Sequence, residues 1–152
     1  MSAGGHTIGA RRGGFTLLET MVVVTIVATL ASIALPSYAG YVKRSRILEA
    51  VARLSDARAR MEEYYLDQRT YLDDAGLCGV APPPSQAADA FALACDATAT
   101  TFRYKATGLS GKGMDAFVYA IDHTGARSTV SLPFGWSVTA DCWTIRADGL
   151  CV

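Results

Sequence analysis

The sequence predicts an α+β chain. A long N-terminal helix, membrane-like in its first half and amphipathic in its second, packs on a small antiparallel β-sheet, and a disulfide-closed loop ends the chain. Three observations lead there. An apolar run from Phe15 to Leu35 is followed closely by a charged segment with helical periodicity. Beyond residue 100, short alternating runs are separated by turn residues. All four cysteines lie C-terminal to the apolar run.

The 21 residues from Phe15 to Leu35 carry one ionisable side chain, Glu19, and no Gly or Pro. At about 1.5 Å per residue, a helix of this length spans the ~30 Å hydrocarbon core of a bilayer. A carboxylate there costs on the order of a few kcal/mol near the centre and less near the interface. Glu19, four residues into the run, therefore calls for a partner and a role. Arg11 and Arg12 ahead of the run also suit a secretory signal peptide. That reading fits poorly, because the run exceeds an ordinary signal core, contains an acid, and meets no small-x-small cleavage site before Pro36-Ser37-Tyr38. A plain membrane anchor leaves Glu19 without a role.

Through Gly14, Phe15, Thr16, Leu17, Glu19 and then Pro36, the chain resembles the type IV pilin family with its class III leader. The resemblance is to type IVa-like members and, in the tail, to minor pilins. It implies that residues 1–14 are a leader, cut by a prepilin peptidase between Gly14 and Phe15, and that Phe15 becomes N-methylated. It maps the family's helix-kinking proline to Pro36 and its glutamate to Glu19. It implies residence in the inner membrane before assembly and in an extracellular pilus (fimbrium) afterwards, with other pilin subunits and the peptidase as partners. Glu19 then gains a physical role. In a filament of staggered helices it would neutralise the Phe15 amine of a neighbour within an apolar core. Desolvation offsets much of that attraction. The sharper consequence is register, since a mis-staggered subunit leaves two buried charges unpaired.

The 152-residue chain has 14 basic and 14 acidic side chains. Removing Arg11 and Arg12 with the leader gives the mature side chains a net charge of −2. Neither value marks an overall affinity for nucleic acid or acidic lipid. The 138 residues after the leader suffice for one domain with its own core. Arg11 and Arg12 before the run are matched by Lys43, Arg44 and Arg46 after it, so charge alone does not orient the span. The family resemblance places the C-terminal domain outside.

The expected division is leader 1–14, transmembrane and filament-core helix 15–37, and globular domain 38–152. Pro36 is expected to bend the helix without ending it, because a strong helical pattern resumes. Ile47, Val51, Leu54, Met61 and Tyr65 form an apolar stripe, widened by Leu48 and Tyr64. Arg46, Glu49, Arg53, Asp56, Arg60 and Glu63 step round the other side, either as a solvated face or as contacts to neighbouring subunits. Glu49 with Arg53 and Asp56 with Arg60 have the spacing of helical ion pairs. One helix of some fifty residues follows.

Residues 67–90 read as a loop, with Gly76, Gly79 and Pro82-Pro83-Pro84 as breakers. Ala-rich Ser85–Ala94 suits a short helix or a strand, and a strand is favoured at Phe91–Cys95. Thr101–Thr107 alternates, with Phe102, Tyr104 and Ala106 on one face. Gly108–Gly113 is a turn, Ala116–Asp122 a strand, and His123-Thr124-Gly125 a hairpin connection into Arg127–Ser131. A further short strand is expected around Trp143–Arg146.

Four cysteines allow three pairings. Cys78 with Cys95 and Cys142 with Cys151 is preferred, because each closes a short irregular loop. Bridges imply an oxidising compartment. A zinc site is a weak rival, since there is no C-x2-C pair and His123 is the one histidine after the leader. The bridged tail resembles the D-region of pilins, and Trp136 with Cys142-Trp143 resembles minor-pilin tails.

Gly108, Gly111, Gly113 and Lys112 match neither the P-loop nor the dinucleotide fingerprint. His123 in a turn makes no triad, and Glu62-Glu63 and Asp73-Asp74 are adjacent acids expected at the surface. No active site is recognised, so the expectation is a non-enzyme without cofactor. A filament subunit is the leading reading. A pilus-borne receptor for DNA or a surface is the alternative, with Arg103, Lys105, Lys112, Arg127 and Arg146 as a basic patch diluted by several aspartates. A type II secretion pseudopilin shares the N-terminal signature.

Overall fold

The computed structural model describes residues 16–139 and 141–152, and the side chains of all of these but 35–37. Contacts within the chain divide it into Met1–Ala39 and Gly40–Val152. Helix α1, Leu17–Gln68, is 52 residues long, so Pro36 does not end it. Thr16 caps it: its hydroxyl accepts the Glu19 N–H at 3.2 Å, three residues on, as in a capping box. At its other end Arg69 takes a left-handed φ of 56° and returns its N–H to the Tyr65 carbonyl at 2.9 Å.

Within Gly40–Val152, α1 lays Ile47, Ala50, Val51, Leu54, Ala57 and Met61 on one face of a sheet. The sheet consists of β1 (Phe91–Ala97), β2 (Phe102–Gly108), β3 (Val118–Asp122) and β4 (Arg127–Ser131). It is antiparallel throughout, with strand order β1-β2-β3-β4. The alternation in β2 has the expected sense. Phe102, Tyr104 and Ala106 are buried on the helix side, and Arg103, Lys105 and Thr107 are exposed on the other. Two alanines, Ala50 and Ala57, complete the buried helix stripe, whereas Leu48 is exposed rather than widening it.

Three buried aromatic side chains in this core pair their polar atoms, as such groups must where water is excluded. The Tyr104 hydroxyl donates to the Val80 carbonyl, and that of Tyr119 to the Thr144 carbonyl at 2.7 Å. The Trp143 indole N–H donates to the Ala120 carbonyl at 2.9 Å. Burial pushes the Tyr104 phenol up to about 12 and raises that of Tyr119 further.

The bridges are Cys78–Cys95, which ties the loop before β1 to β1 itself, and Cys142–Cys151 in the tail. The strand expected around Trp143–Arg146 does not form. That stretch makes a single bridge pairing, Thr144 with Cys151, because the chain turns back at Gly149 and the disulfide closes the loop. Thr129 on β4 anchors it instead: its hydroxyl donates to the Cys142 carbonyl at 2.7 Å and accepts the Thr144 N–H at 2.9 Å.

Candidate functional site

Two surfaces carry the residues singled out by the sequence. The first is the N-terminal part of α1. Every residue from Leu17 to Ala34 is exposed except half-buried Ala31. The helix is long and apolar enough to cross a membrane. Its hydroxyls do not break this character. Thr20, Thr25, Thr29 and Ser32 each donate to a carbonyl three or four residues back, at 2.7–2.8 Å, so an apolar medium meets no unpaired hydroxyl proton there. Glu19 stands in the first turn, where the positive end of the helix favours an acid. Gly14 and Phe15 lie outside the described residues, and at Pro36 only the backbone is described.

The second surface is the outer face of the sheet. Arg103 and Lys105 alternate on β2 and are exposed. Among the described residues neither forms an ion pair, and Arg103 reaches the Ser128 hydroxyl at 3.3 Å. Their neighbours across the ladders are small or acidic: Ala94 and Ala120 beside Lys105, Asp96 and Asp122 beside Arg103. Asp122 is turned to the hairpin, where its carboxylate accepts the N–H groups of Thr124 and Ala126 and the Thr124 hydroxyl. Partial burial works against its ionised form, but these bonds outweigh it and hold its carboxyl below the usual range.

The other three cations of the expected patch do not join this face. Arg127 stacks over the Trp143 ring at 5.0 Å, Arg146 pairs with Asp148 at 3.0 Å, and Lys112 lies in the 3-10 turn Ser110–Lys112.

The polar side of α1 is not simply a solvated face. Arg53 leaves Glu49 and pairs with Asp89 at 3.1 Å, and Arg46 donates to the Lys112 carbonyl at 2.7 Å. Both fasten the helix to its own domain. Arg60 does pair with Asp56, at 3.0 Å, as its spacing predicts. All four predicted cysteines are paired as preferred. Spacing gave no signal for Arg53–Asp89, which are 36 residues apart in sequence.

Residues 9–35 match the prokaryotic N-terminal methylation motif. Residues 36–116 match the family model described as type IV minor pilin ComP, DNA uptake sequence receptor. The type IV major pilin protein PilE1 of Neisseria gonorrhoeae is 40% identical over 72 residues, 47% of this chain and 44% of that protein. The type IV major fimbrial protein FimA of Dichelobacter nodosus is 34% identical over 99 residues, 64% of this chain and 58% of that protein. The chain thus spans less than two thirds of the length of either relative. The non-core minor pilin PilV of Neisseria meningitidis superposes with a TM-score of 0.49 at 15% identity, over 61% of this chain and 91% of that one.

Proposed function

The chain belongs to the type IV minor pilin ComP, DNA uptake sequence receptor family, and from that premise we propose that it works as a subunit of a type IV pilus. An inner-membrane anchor before assembly and an extracellular pilus afterwards follow from the family and from the methylation motif. The observation that carries the subunit reading is the apolar helix Leu17–Ala34, which buries almost nothing within its own chain. Such a surface needs lipid or other helices. The motif supports processing by a prepilin peptidase between Gly14 and Phe15. Other pilin subunits then replace lipid around the helix, with Glu19 of one subunit facing the Phe15 amine of another.

Mass spectrometry of the mature protein tests the processing step. The expected mass begins at methylated Phe15 and is lower by four hydrogens for the two bridges. A full-length chain retained as a monomer in lipid would sink the reading. Glu19→Ala should leave the chain folded and membrane-inserted yet absent from filaments; normal piliation by this variant removes the pairing role.

A second reading, DNA capture by the pilus, is favoured by the description of the family and by Arg103 and Lys105, exposed and in no ion pair among the described residues. The full chain in detergent should bind duplex DNA at low salt. Arg103→Ala with Lys105→Ala should weaken that binding and flatten the salt dependence by about two phosphate contacts. An unchanged salt slope moves the contact elsewhere.

A further inference from the structure

Between Glu19 and Glu49 the chain carries no acid, and its charged residues there are Lys43, Arg44 and Arg46. These cations follow the apolar run on the side of the globular domain, against the usual excess of positive charge on the cytoplasmic side. Neither the subunit reading nor the outer face of the sheet uses them. The fold adds a fourth. Arg46 donates to the Lys112 carbonyl at 2.7 Å, which fastens the turn Ser110–Lys112 to the same stretch of α1.

Among the described residues none of the four forms an ion pair. Asp89 lies within the field of Lys112 but is taken by Arg53 at 3.1 Å. Arg44 is half-buried, and its Nε is shut from water with no hydrogen-bond partner. A guanidinium stripped of part of its water and given no acid in exchange gains more from an added anion than a hydrated one does. Lys43 and Tyr41 are exposed.

Lys43 and Arg44 come eight and nine residues after Leu35 in the sequence. At about 1.5 Å per residue, a helix puts at most ~14 Å between them and the end of the apolar run. The headgroup layer fills roughly the first 5–8 Å beyond the hydrocarbon. Helical side chains lean toward the N-terminus and long cationic ones snorkel, so these two can reach back into that layer. Tyr41 comes just before them, where a tyrosine suits the boundary between lipid and water. A membrane plane surrounds the helix, so cations on different faces can all meet it.

We propose that Lys43 and Arg44, supported by Arg46 and Lys112, bind the phosphate groups of acidic phospholipids on the domain side of the membrane before assembly. The inference rests on the membrane-anchor reading and adds to it the lipid class that holds the anchor at its depth. The test is native mass spectrometry of the full chain in detergent doped with equal phosphatidylglycerol and phosphatidylcholine. Arg11→Gln with Arg12→Gln serves as the background, so that the leader's cations do not contribute. A cation beside an acidic surface strengthens attachment about fivefold. Phosphatidylglycerol adducts should therefore exceed phosphatidylcholine adducts by about fivefold or more, and the ratio should fall as salt is raised. Lys43→Gln with Arg44→Gln should cut the ratio by about threefold or more, whereas the charge-keeping swap Lys43→Arg with Arg44→Lys should preserve it. Lys105→Gln, on the sheet, should leave it unchanged. Equal adducts of the two lipids, a ratio indifferent to salt, or an equal loss on Lys105→Gln overturns the inference and leaves the anchor standing. So does a double variant that keeps its lipid ratio and loses duplex DNA binding instead. If that variant does not fold, the salt dependence and the charge-keeping swap decide. A full chain recovered in the soluble fraction without detergent overturns the anchor as well.

Discussion

Tyr119 is a wholly buried phenol whose one proton goes to the Thr144 carbonyl, and through it β3 holds the tail. Tyr119→Phe keeps the ring and removes the donor, leaving a buried carbonyl without this partner. The expected cost is about 1–2 kcal/mol, read as a lower melting temperature of the full chain in detergent. An unchanged melt would show that the carbonyl finds another donor. The raised phenol also fixes an alkaline limit. A folded value above the unfolded one of about 10 means that this contribution is complete below pH 10 and declines as pH rises toward the folded value. Tyr104, pushed up to about 12, acts in the same direction. Tyrosinate absorbance from these two should therefore appear only at strongly alkaline pH or on unfolding.

Among the elements, the seam between α1 and β1 contains the contact that sequence spacing hides. Asp89 accepts the Gln86 N–H at 2.9 Å and pairs with Arg53, and these hold its carboxyl below the usual range, the backbone bond foremost. A carboxyl depressed by folding contributes stability above its unfolded value of about 4, and that contribution is lost as pH falls through the folded value. Asp89→Asn should accordingly melt below wild type at neutral pH, and the two curves should converge in acid. A gap that persists at pH 2 would assign the effect to packing.

The strands were legible because β2 alternates strictly, and because Asp122, Thr124 and Gly125 punctuate the hairpin as turn chemistry demands. The helix was legible from its period. Arg46 and Arg53 misled because a charged residue reads the same in one dimension whether it meets water or a distant partner. Trp143-Thr144-Ile145 misled because its apolar content serves burial beside β4, not a ladder. For the outer face of the sheet, Arg103 and Lys105 were legible from alternation, but which other cations shared their face depended on strand order.

At the scale of the whole molecule, two covalent links supplement a modest core. A bridge between cysteines separated by nine positions, Cys142 and Cys151, contributes roughly 2–3 kcal/mol by loop entropy. Cys142→Ser with Cys151→Ser should lower the melting temperature and raise hydrogen exchange at Trp143–Ile145 ahead of β1–β3. Uniform exchange across the sheet would instead place the tail in the main cooperative unit.

Both links also lie entirely between residues 78 and 151, and neither reaches α1. Pulled along its axis, a fibre of such subunits would load the rod and the sheet unequally. Only side-chain packing and a few polar ties, such as Arg46 to Lys112 and Arg53 to Asp89, resist peeling of one from the other. The weak seam under tension is therefore the helix–sheet boundary, while the cross-linked half keeps its shape after the rod has slipped.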